Sequence, residues 1–330
     1  MKILVTGGTG FIGSHTCVEL IESGYEPIII DNLYNSKIDV IDKIEEITGK
    51  RPVFYEADIR DKEKMKEIIS LHKPVSCIHF AGLKAVGESV EKPLMYYEWN
   101  VGGTVSLVQA MQECGCKSIV FSSSATVYGE PKSVPILEDF PLHTTNPYGA
   151  TKLMIENILR DVVVSDPEFK VMLLRYFNPV GAHPSGLIGE NPNGIPNNLM
   201  PRIICVAKGQ MEAITIFGKD YPTKDGTGVR DYIHVVDLAK GHIAALKHSA
   251  DNGVFVYNLG TGTGYSVLEL VETFEKVNGI KIPTVDCPRR AGDIPTCYAD
   301  PKKAFEELGW KAELGVEDMC KSSWDYAKQF

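Results

Sequence analysis

Tyr148 and Lys152, read together with Ser124, are the residues whose types and spacing point to proton transfer. A tyrosine hydroxyl titrates at about 10 and is a poor base unless a nearby cation stabilises the phenolate. Asn146-Pro147 reads as an N-cap followed by proline at the first helical position. The helix predicted from there sets Tyr148 and Lys152 four residues apart on one face, with the ammonium beside the phenol. Alone, a Tyr-x-x-x-Lys run is common and describes two helix-surface residues; the N-terminus of the chain gives it meaning.

There, Thr6-Gly7-Gly8-Thr9-Gly10-Phe11-Ile12-Gly13 follows the apolar strand pattern Lys2–Val5 and precedes an amphipathic stretch from Ser14 to Ile21 that stops near Gly24. Glycines at Gly7, Gly10 and Gly13 permit a tight turn and let backbone N–H groups, including those of Phe11 and Ile12, approach a pyrophosphate at the helix N-terminus. The spacing is a variant of the dinucleotide fingerprint. A second strand, Pro27–Ile30, ends in Asp31, where an acidic residue binds the adenosine ribose; its charge repels a 2′-phosphate, so the expected cofactor is NAD rather than NADP. A bound nicotinamide adds a second positive charge near Tyr148.

Further strand patterns at Val53–Tyr55, Cys77–Phe80, Ser118–Phe121 and Lys170–Leu174 alternate with helical ones at Asp61–Leu71, Pro93–Gln112 and from Tyr148. Repeated units of this kind predict an α/β fold with a doubly wound parallel (Rossmann) sheet and ligands beyond the carboxyl ends of its strands. Gly7–Gly13, Asp58 and Ile59, Phe80–Lys84 and Ser122–Ser124 all fall at that edge. After Arg175 the texture changes: 178–198 is rich in Gly, Pro and Asn. We expect an NAD-binding domain over 1–175, with 233–260 added to it as helix and strand. A smaller, discontinuous substrate-binding α/β lobe would occupy 176–330. Gly260–Gly264 reads as a turn into a capped helix, not a second phosphate loop.

A net charge of −9 argues against nucleic-acid or anionic-membrane partners. No apolar run approaches spanning length, and with Lys2 opening the first strand no signal peptide is expected. The eight scattered cysteines, without C-x-x-C pairs, suggest a reducing, cytoplasmic setting, and the histidines lack ligand spacing, so no metal is assigned.

Motifs along essentially the whole chain resemble the extended short-chain dehydrogenase/reductases, and within them the UDP-sugar 4-epimerase branch. They are Thr6–Gly13, Phe80–Ser89, Phe121–Gly129, Tyr148–Lys152, Arg175–Asn178, Asn197–Pro201, Phe217–Pro222, Gly226–His234 and Arg289–Asp293. One departure is Trp99 before Asn100, where some members carry a second asparagine near the nicotinamide. The resemblance implies that Tyr148 removes the proton of the sugar 4-hydroxyl while C4 passes a hydride to NAD. Ser124 would hold that hydroxyl, and Lys152 would bond the nicotinamide ribose. The 4-keto sugar then turns about its diphosphate and is reduced on its other face. It further implies cofactor contacts from Asn32, Asn35, Ser36, Asp58, Ile59, Phe80, Ala81, Gly82, Lys84, Asn100, Ser122 and Tyr176. On the UDP-sugar side it implies Thr126, Phe177, Asn178, Asn198, Leu199, Phe217, Tyr221, Arg230, Arg290, Asp293 and Cys297. Arg230 and Arg290 would clamp the diphosphate. Cys297 stands where narrow-specificity members carry tyrosine, which implies room for an N-acetyl group. Members dimerise through the helices here at Pro93–Gln112 and Tyr148–Val164, so a homodimer is expected.

Two alternatives differ in a readable feature. Nucleotide-sugar 4,6-dehydratases need an acid pair beside the serine, whereas Ser124 is followed by Ala125 and Thr126. A non-catalytic NAD-sensing module typically loses the tyrosine or lysine, and both are present.

Overall fold

The structure, a computed structural model, describes all residues except Asn193, Ile195, Asn197, Ser249, Ala250, Asp251, Ala291 and Gly292. Three positions of the motifs above, Asn197, Ala291 and Gly292, therefore lie outside the described residues.

A seven-stranded sheet organises the chain, in the spatial order Gly253–Leu259, Lys170–Tyr176, Ser118–Ser124, Ser76–His79, Lys2–Thr6, Glu26–Asp31, Val53–Glu56. All its pairings are parallel. The first three strands grow toward one edge and the next ones toward the other, so the order reverses between Lys2–Thr6 and Ser76–His79. Both faces are covered, and side chains alternate between them as the strand period requires. Ile3 and Val5 enter one apolar cluster with Ile29, Val120, Met172 and Leu174; Leu4 enters the other with Ile28, Cys77, Phe121 and Leu173. Full burial of such side chains favours folding by about 1.5–3 kcal/mol each.

The helices mostly start where the local chemistry demands. Asn146 accepts from the Gly149 N–H at 2.8 Å and Pro147 is the first residue of the helix Pro147–Ser165. Asp61 accepts from the Lys64 N–H at 3.0 Å at the head of Lys62–His72. The first helix begins at Phe11, three residues before the expected Ser14, because the glycine turn itself passes into helical geometry. The expected Pro93–Gln112 helix is helical throughout but divides into Pro93–Tyr96, a π turn at Tyr97–Gly102 and Gly103–Glu113. Beyond the π turn, a Cβ on Gly103 would come within 2.8 Å of Ile59, so the helix can pack this closely only with glycine there. Ile233 and His234 complete the strand Val229–His234 rather than opening a helix; His234 then caps Val235–Lys247 through the Val236 N–H at 3.2 Å.

The remaining strands make a four-stranded sheet around Val229–His234 and a two-stranded pair, Ile214–Phe217 with Thr284–Cys287. A separate apolar cluster of Met200, Ile203, Ile214, Tyr232, Leu270, Phe274 and Met319 packs them. The Gly260–Gly264 turn leads, as expected, into a helix capped by Ser266 and Glu269. It does cradle an anion, though one of its own: the Asp231 carboxylate accepts from the N–H groups of Thr261, Gly262 and Ala299 at 2.8, 3.1 and 3.1 Å.

Candidate active site

The sheet reversal creates a cleft of about 1360 Å³ at the carboxyl ends of the strands. Gly7, with φ of 70°, lies so close to the turn after Ser76–His79 that a Cβ there would stand 2.7 Å from the Ala81 nitrogen. A Cβ on Gly13 would strike the Gly7 carbonyl oxygen. The helix beyond takes no side-chain cap at Gly10 and carries no acidic residue in its first turn, while Gly10–Gly13 line the cleft. Uncapped N–H groups at a helix end exposed to a cavity suit a pyrophosphate. Asp31, at the end of the second strand, is held by the N–H groups of Thr9 and Leu33 and by the Ser36 hydroxyl at 3.2, 2.9 and 2.9 Å. Its carboxylate suits a ribose diol and opposes a 2′-phosphate. The residues present therefore fit NAD.

Of the expected cofactor contacts, Gly7, Gly10, Phe11, Ile12, Gly13, Asp31, Asn32, Asn35, Ser36, Asp58, Ile59, Phe80, Ala81, Gly82, Lys84, Ser122, Tyr148, Lys152 and Tyr176 line this one cleft. Asn100 is placed behind it. Its amide accepts from the Leu83 N–H at 2.8 Å and donates to the Leu83 carbonyl and the Thr151 hydroxyl at 3.0 and 3.1 Å. Asn100 thus shapes the Phe80–Lys84 turn instead of lining the cleft. Beneath the same turn, the Thr104 hydroxyl donates to the Asn100 carbonyl at 2.6 Å, so it must accept from His79 Nε2 at 2.9 Å. That leaves His79 Nδ1 to accept from Thr6 at 2.7 Å. Burial lowers the pKa of this histidine to about 3 and keeps it neutral.

Ser124 ends its strand and caps the short turn Ala125–Tyr128, its Oγ accepting from Thr126 N and Oγ1 at 3.2 and 3.0 Å. Burial raises the pKa of Tyr148, and the neighbouring Ser124 hydroxyl pulls it back. Lys152 donates to the Ser122 carbonyl at 2.7 Å and sits 5.8 Å from the Tyr148 ring centre. Burial lowers the Lys152 pKa to about 8. Burial is thus the larger influence on Tyr148, and the Ser124 hydroxyl beside it is the group that favours the phenolate. Ser122 also accepts from the Tyr176 hydroxyl.

A buried network fixes this group from below. Glu156, one turn past Lys152, takes Arg175 Nε and NH2 at 2.9 and 2.6 Å and the Ser123 hydroxyl at 2.5 Å. Arg175 NH1 continues to the Tyr128 hydroxyl and the Glu138 carbonyl at 2.9 and 3.0 Å. Sequence reading passed over Glu156, although the 148, 152, 156 spacing on one helical face was the signal.

The expected substrate residues fall into groups. Arg230 pairs in register with Cys297, and Asn178 with Tyr232 of the same strand. Phe177 joins an apolar cluster with Val127 and Tyr128, against which Ala125, Leu153 and Cys297 pack. The Arg290 guanidinium lies 4.8 Å over Phe217 and bonds Asp293 at 2.8 Å, while Arg289 lies 4.1 Å over Tyr221. The Tyr221 hydroxyl is buried without a partner among the described residues. Asn198, at the head of the helix Leu199–Ala207, reaches the cleft and donates to Glu190 at 2.8 Å; Lys84 lies 3.4 Å from the same carboxylate. Glu190 had no signal in the sequence, since only the fold brings the 178–198 loop to Lys84. Among the described residues no cluster of His, Cys, Asp and Glu could hold a metal ion, and no helix is long and apolar enough to cross a membrane.

A family model described as GDP-mannose 4,6 dehydratase matches residues 4–323. The chain is 61% identical over 325 residues to a UDP-glucose 4-epimerase of Bacillus subtilis, covering 98% of this chain and 96% of that one. It superposes with a TM-score of 0.97 on a UDP-glucose 4-epimerase of Bifidobacterium longum solved with NAD+ and UDP, at 54% identity, over 100% of this chain and 98% of the other. A second epimerase structure, from Stenotrophomonas maltophila with NAD and a formylated UDP-arabinopyranose, gives 0.98 at 48% identity, with coverage of 100% and 98%. The chain belongs to the family that this model describes and, within it, to the UDP-glucose 4-epimerases of the extended short-chain dehydrogenase/reductases.

Proposed function

We infer that this protein is an NAD-dependent epimerase that inverts C4 of UDP-sugars. The observation that carries this reading is Tyr148 with Lys152 beside it on the wall of a cleft built for a dinucleotide, and Ser124 next to Tyr148. NAD, held by the Gly7–Gly13 turn and Asp31, would supply the hydride acceptor and donor for C4. The protein's own residues do the rest. Ser124 holds the sugar 4-hydroxyl, and Tyr148, deprotonated, takes its proton and gives it back. Lys152, anchored on the Ser122 carbonyl, orients the cofactor ribose and keeps positive charge beside the phenolate. Because net redox is zero, the cofactor stays on the protein as a prosthetic group. The 4,6-dehydratase alternative lacks its acid: the turn after Ser124 contains Ala125, Thr126, Val127 and Tyr128, with no carboxylate.

We assign Arg230 and Arg290 to the diphosphate, Asn178 and Asn198 to hydrogen bonds with UDP, and Phe217 with Tyr221 to the uracil side. The third apolar cluster supports a substrate lobe over 176–330, and the pairing of Gly253–Leu259 with Lys170–Tyr176 supports joining 233–260 to the cofactor domain. Exposed Leu94, Met154 and Val164 support dimerisation through the helices at Pro93–Gln112 and Tyr148–Val164. We place the enzyme in the cytoplasm and in galactose metabolism. Cys297 supports a broader substrate range. It packs with Phe177 and Leu153 beside the Tyr148 helix, and an acetamido group adds about three heavy atoms where cysteine has about six fewer than tyrosine.

Product analysis without added NAD, with UDP-galactose, UDP-N-acetylgalactosamine and UDP-xylose side by side, tests this. The expected products are the C4 epimers of the first two and no deoxy-keto sugar. Cys297→Tyr should abolish the N-acetyl activity and spare the plain hexose. An enzyme that leaves N-acetylated sugars untouched at high concentration refutes the broad range; one that releases a 4-keto-6-deoxy sugar refutes the epimerase.

A further inference from the structure

Beyond Asp31 the cleft is bordered by a closed circuit of groups, of which Tyr34, Arg60 and Trp99 have no part in the chemistry above. Tyr34 and Trp99 meet edge to face, ring centres 4.8 Å apart at 63°. Tyr34 belongs to the loop after the second strand and Trp99 to the π turn after the fourth, so their contact joins segments from opposite sides of the sheet reversal. The Arg60 guanidinium lies 4.1 Å from the centre of the Trp99 ring. Arg60 is itself forked onto Asp58, Nε to Oδ1 and NH2 to Oδ2, both at 2.9 Å. Asp58 accepts from Asn32 at 2.9 Å, and the Asn32 carbonyl oxygen accepts from the Tyr34 N–H at 3.1 Å, which returns the circuit to its start. Leu33 between them takes the left-handed region, φ 57°, with its N–H on the Asp31 carboxylate, and this turn directs Tyr34 toward Trp99. Asn32, Tyr34, Asp58, Arg60 and Trp99 all line the cleft.

We propose that Tyr34 and Trp99 form a clasp over the adenosine end of the cleft that sets how slowly NAD leaves. The inference rests on the assignment of NAD to this cleft. Asp31 and Asp58 mark the adenosine end, and a dinucleotide seated there can depart only when the aromatic contact and the cation–π stack open together. Burial alone would raise the pKa of Asp58, but the Arg60 and Asn32 bonds hold it at about 2, so the base of the clasp stays charged across the working range.

The test measures release of bound NAD from purified enzyme by dilution into an excess of an NAD-capturing dehydrogenase, for the native protein, Trp99→Ala, Trp99→Phe, Tyr34→Ala and the double alanine variant. Each single alanine variant should release NAD roughly tenfold faster. The double variant should be no faster than the quicker single, because the two side chains make one contact. Trp99→Phe should restore most of the retention. Tyr34 is half exposed in a loop, so Tyr34→Ala reports even if the π turn does not tolerate Trp99→Ala. Release at the native rate in both single variants, or effects that multiply in the double, overturns the clasp. Native enzyme that carries no NAD overturns the cofactor assignment instead.

Discussion

Removing Glu156 should both loosen the fold and disarm the site, because one buried ion pair serves both. Arg175 is 1% exposed and the Glu156 side chain 0%. Glu156→Ala leaves Arg175 Nε and NH2 without partners while NH1 keeps Tyr128 and Glu138, so a charge stays buried and half satisfied. Breaking a buried pair from one side costs about 3–5 kcal/mol. At about 1.4 °C per kcal/mol for a chain of this size, the midpoint of thermal unfolding should fall by roughly 4–7 °C. Because Glu156 also holds Ser123, next to Ser124, and shares a helix face with Tyr148 and Lys152, kcat should fall at temperatures where the variant is still folded. Removing both charges with Glu156→Met and Arg175→Met should cost less than the sum of the two single changes by more than about 1 kcal/mol. Circular-dichroism melts and initial rates at 25 °C measure both effects. A midpoint within about 2 °C of native and an unchanged kcat for Glu156→Ala would refute the argument.

Tyr148→Phe keeps the ring and removes the base, so epimerisation should fall by at least about two orders of magnitude with NAD still bound, read by turnover and by absorbance of the released cofactor. Arg230→Ala should weaken UDP-sugar binding by about 2–5 kcal/mol if its charge pairing with the diphosphate is desolvated, and calorimetry should find NAD occupancy unchanged. Acid should unfold the protein through its histidines. Burial lowers His15 and His79 to about 3 and His234 and His242 to about 4, against an unfolded value of about 6.5. The unfolded chain therefore binds protons first. Stability from this source is complete above pH 6.5 and is lost as pH falls toward 3–4, which denaturant midpoints at a series of pH values will show.

The cofactor half of the protein was legible because its signals are local. A glycine turn between a strand and a helix, an acid at the end of the next strand and a capped Tyr-x-x-x-Lys helix each declare themselves within about a dozen residues. The same locality explains what was missed. The resemblance implies a cofactor contact from Asn100, whose amide bonds Leu83 and Thr151, packing that spacing does not encode. The π turn around Trp99 has the apolar pattern of an ordinary helix, and Glu190 reaches Lys84 only because a loop more than a hundred residues away folds back over the cleft. Burial also opposes what spacing suggests: desolvation raises Tyr148 and lowers Lys152, an effect of packing around the pair. The substrate residues were named by resemblance, and among them only Asn198 lines the cleft shared with the cofactor residues.

The central claim is that C4 is oxidised and reduced on one protein without exchange with water, and isotope retention tests it directly. UDP-galactose carrying deuterium at C4, incubated in ordinary water with enzyme and no added cofactor, should give UDP-glucose with the label still at C4 by mass spectrometry and NMR. Product that has lost the deuterium to solvent would contradict the account, because inversion would then proceed by proton abstraction from carbon and Tyr148, Ser124 and Lys152 would have been given the wrong chemistry.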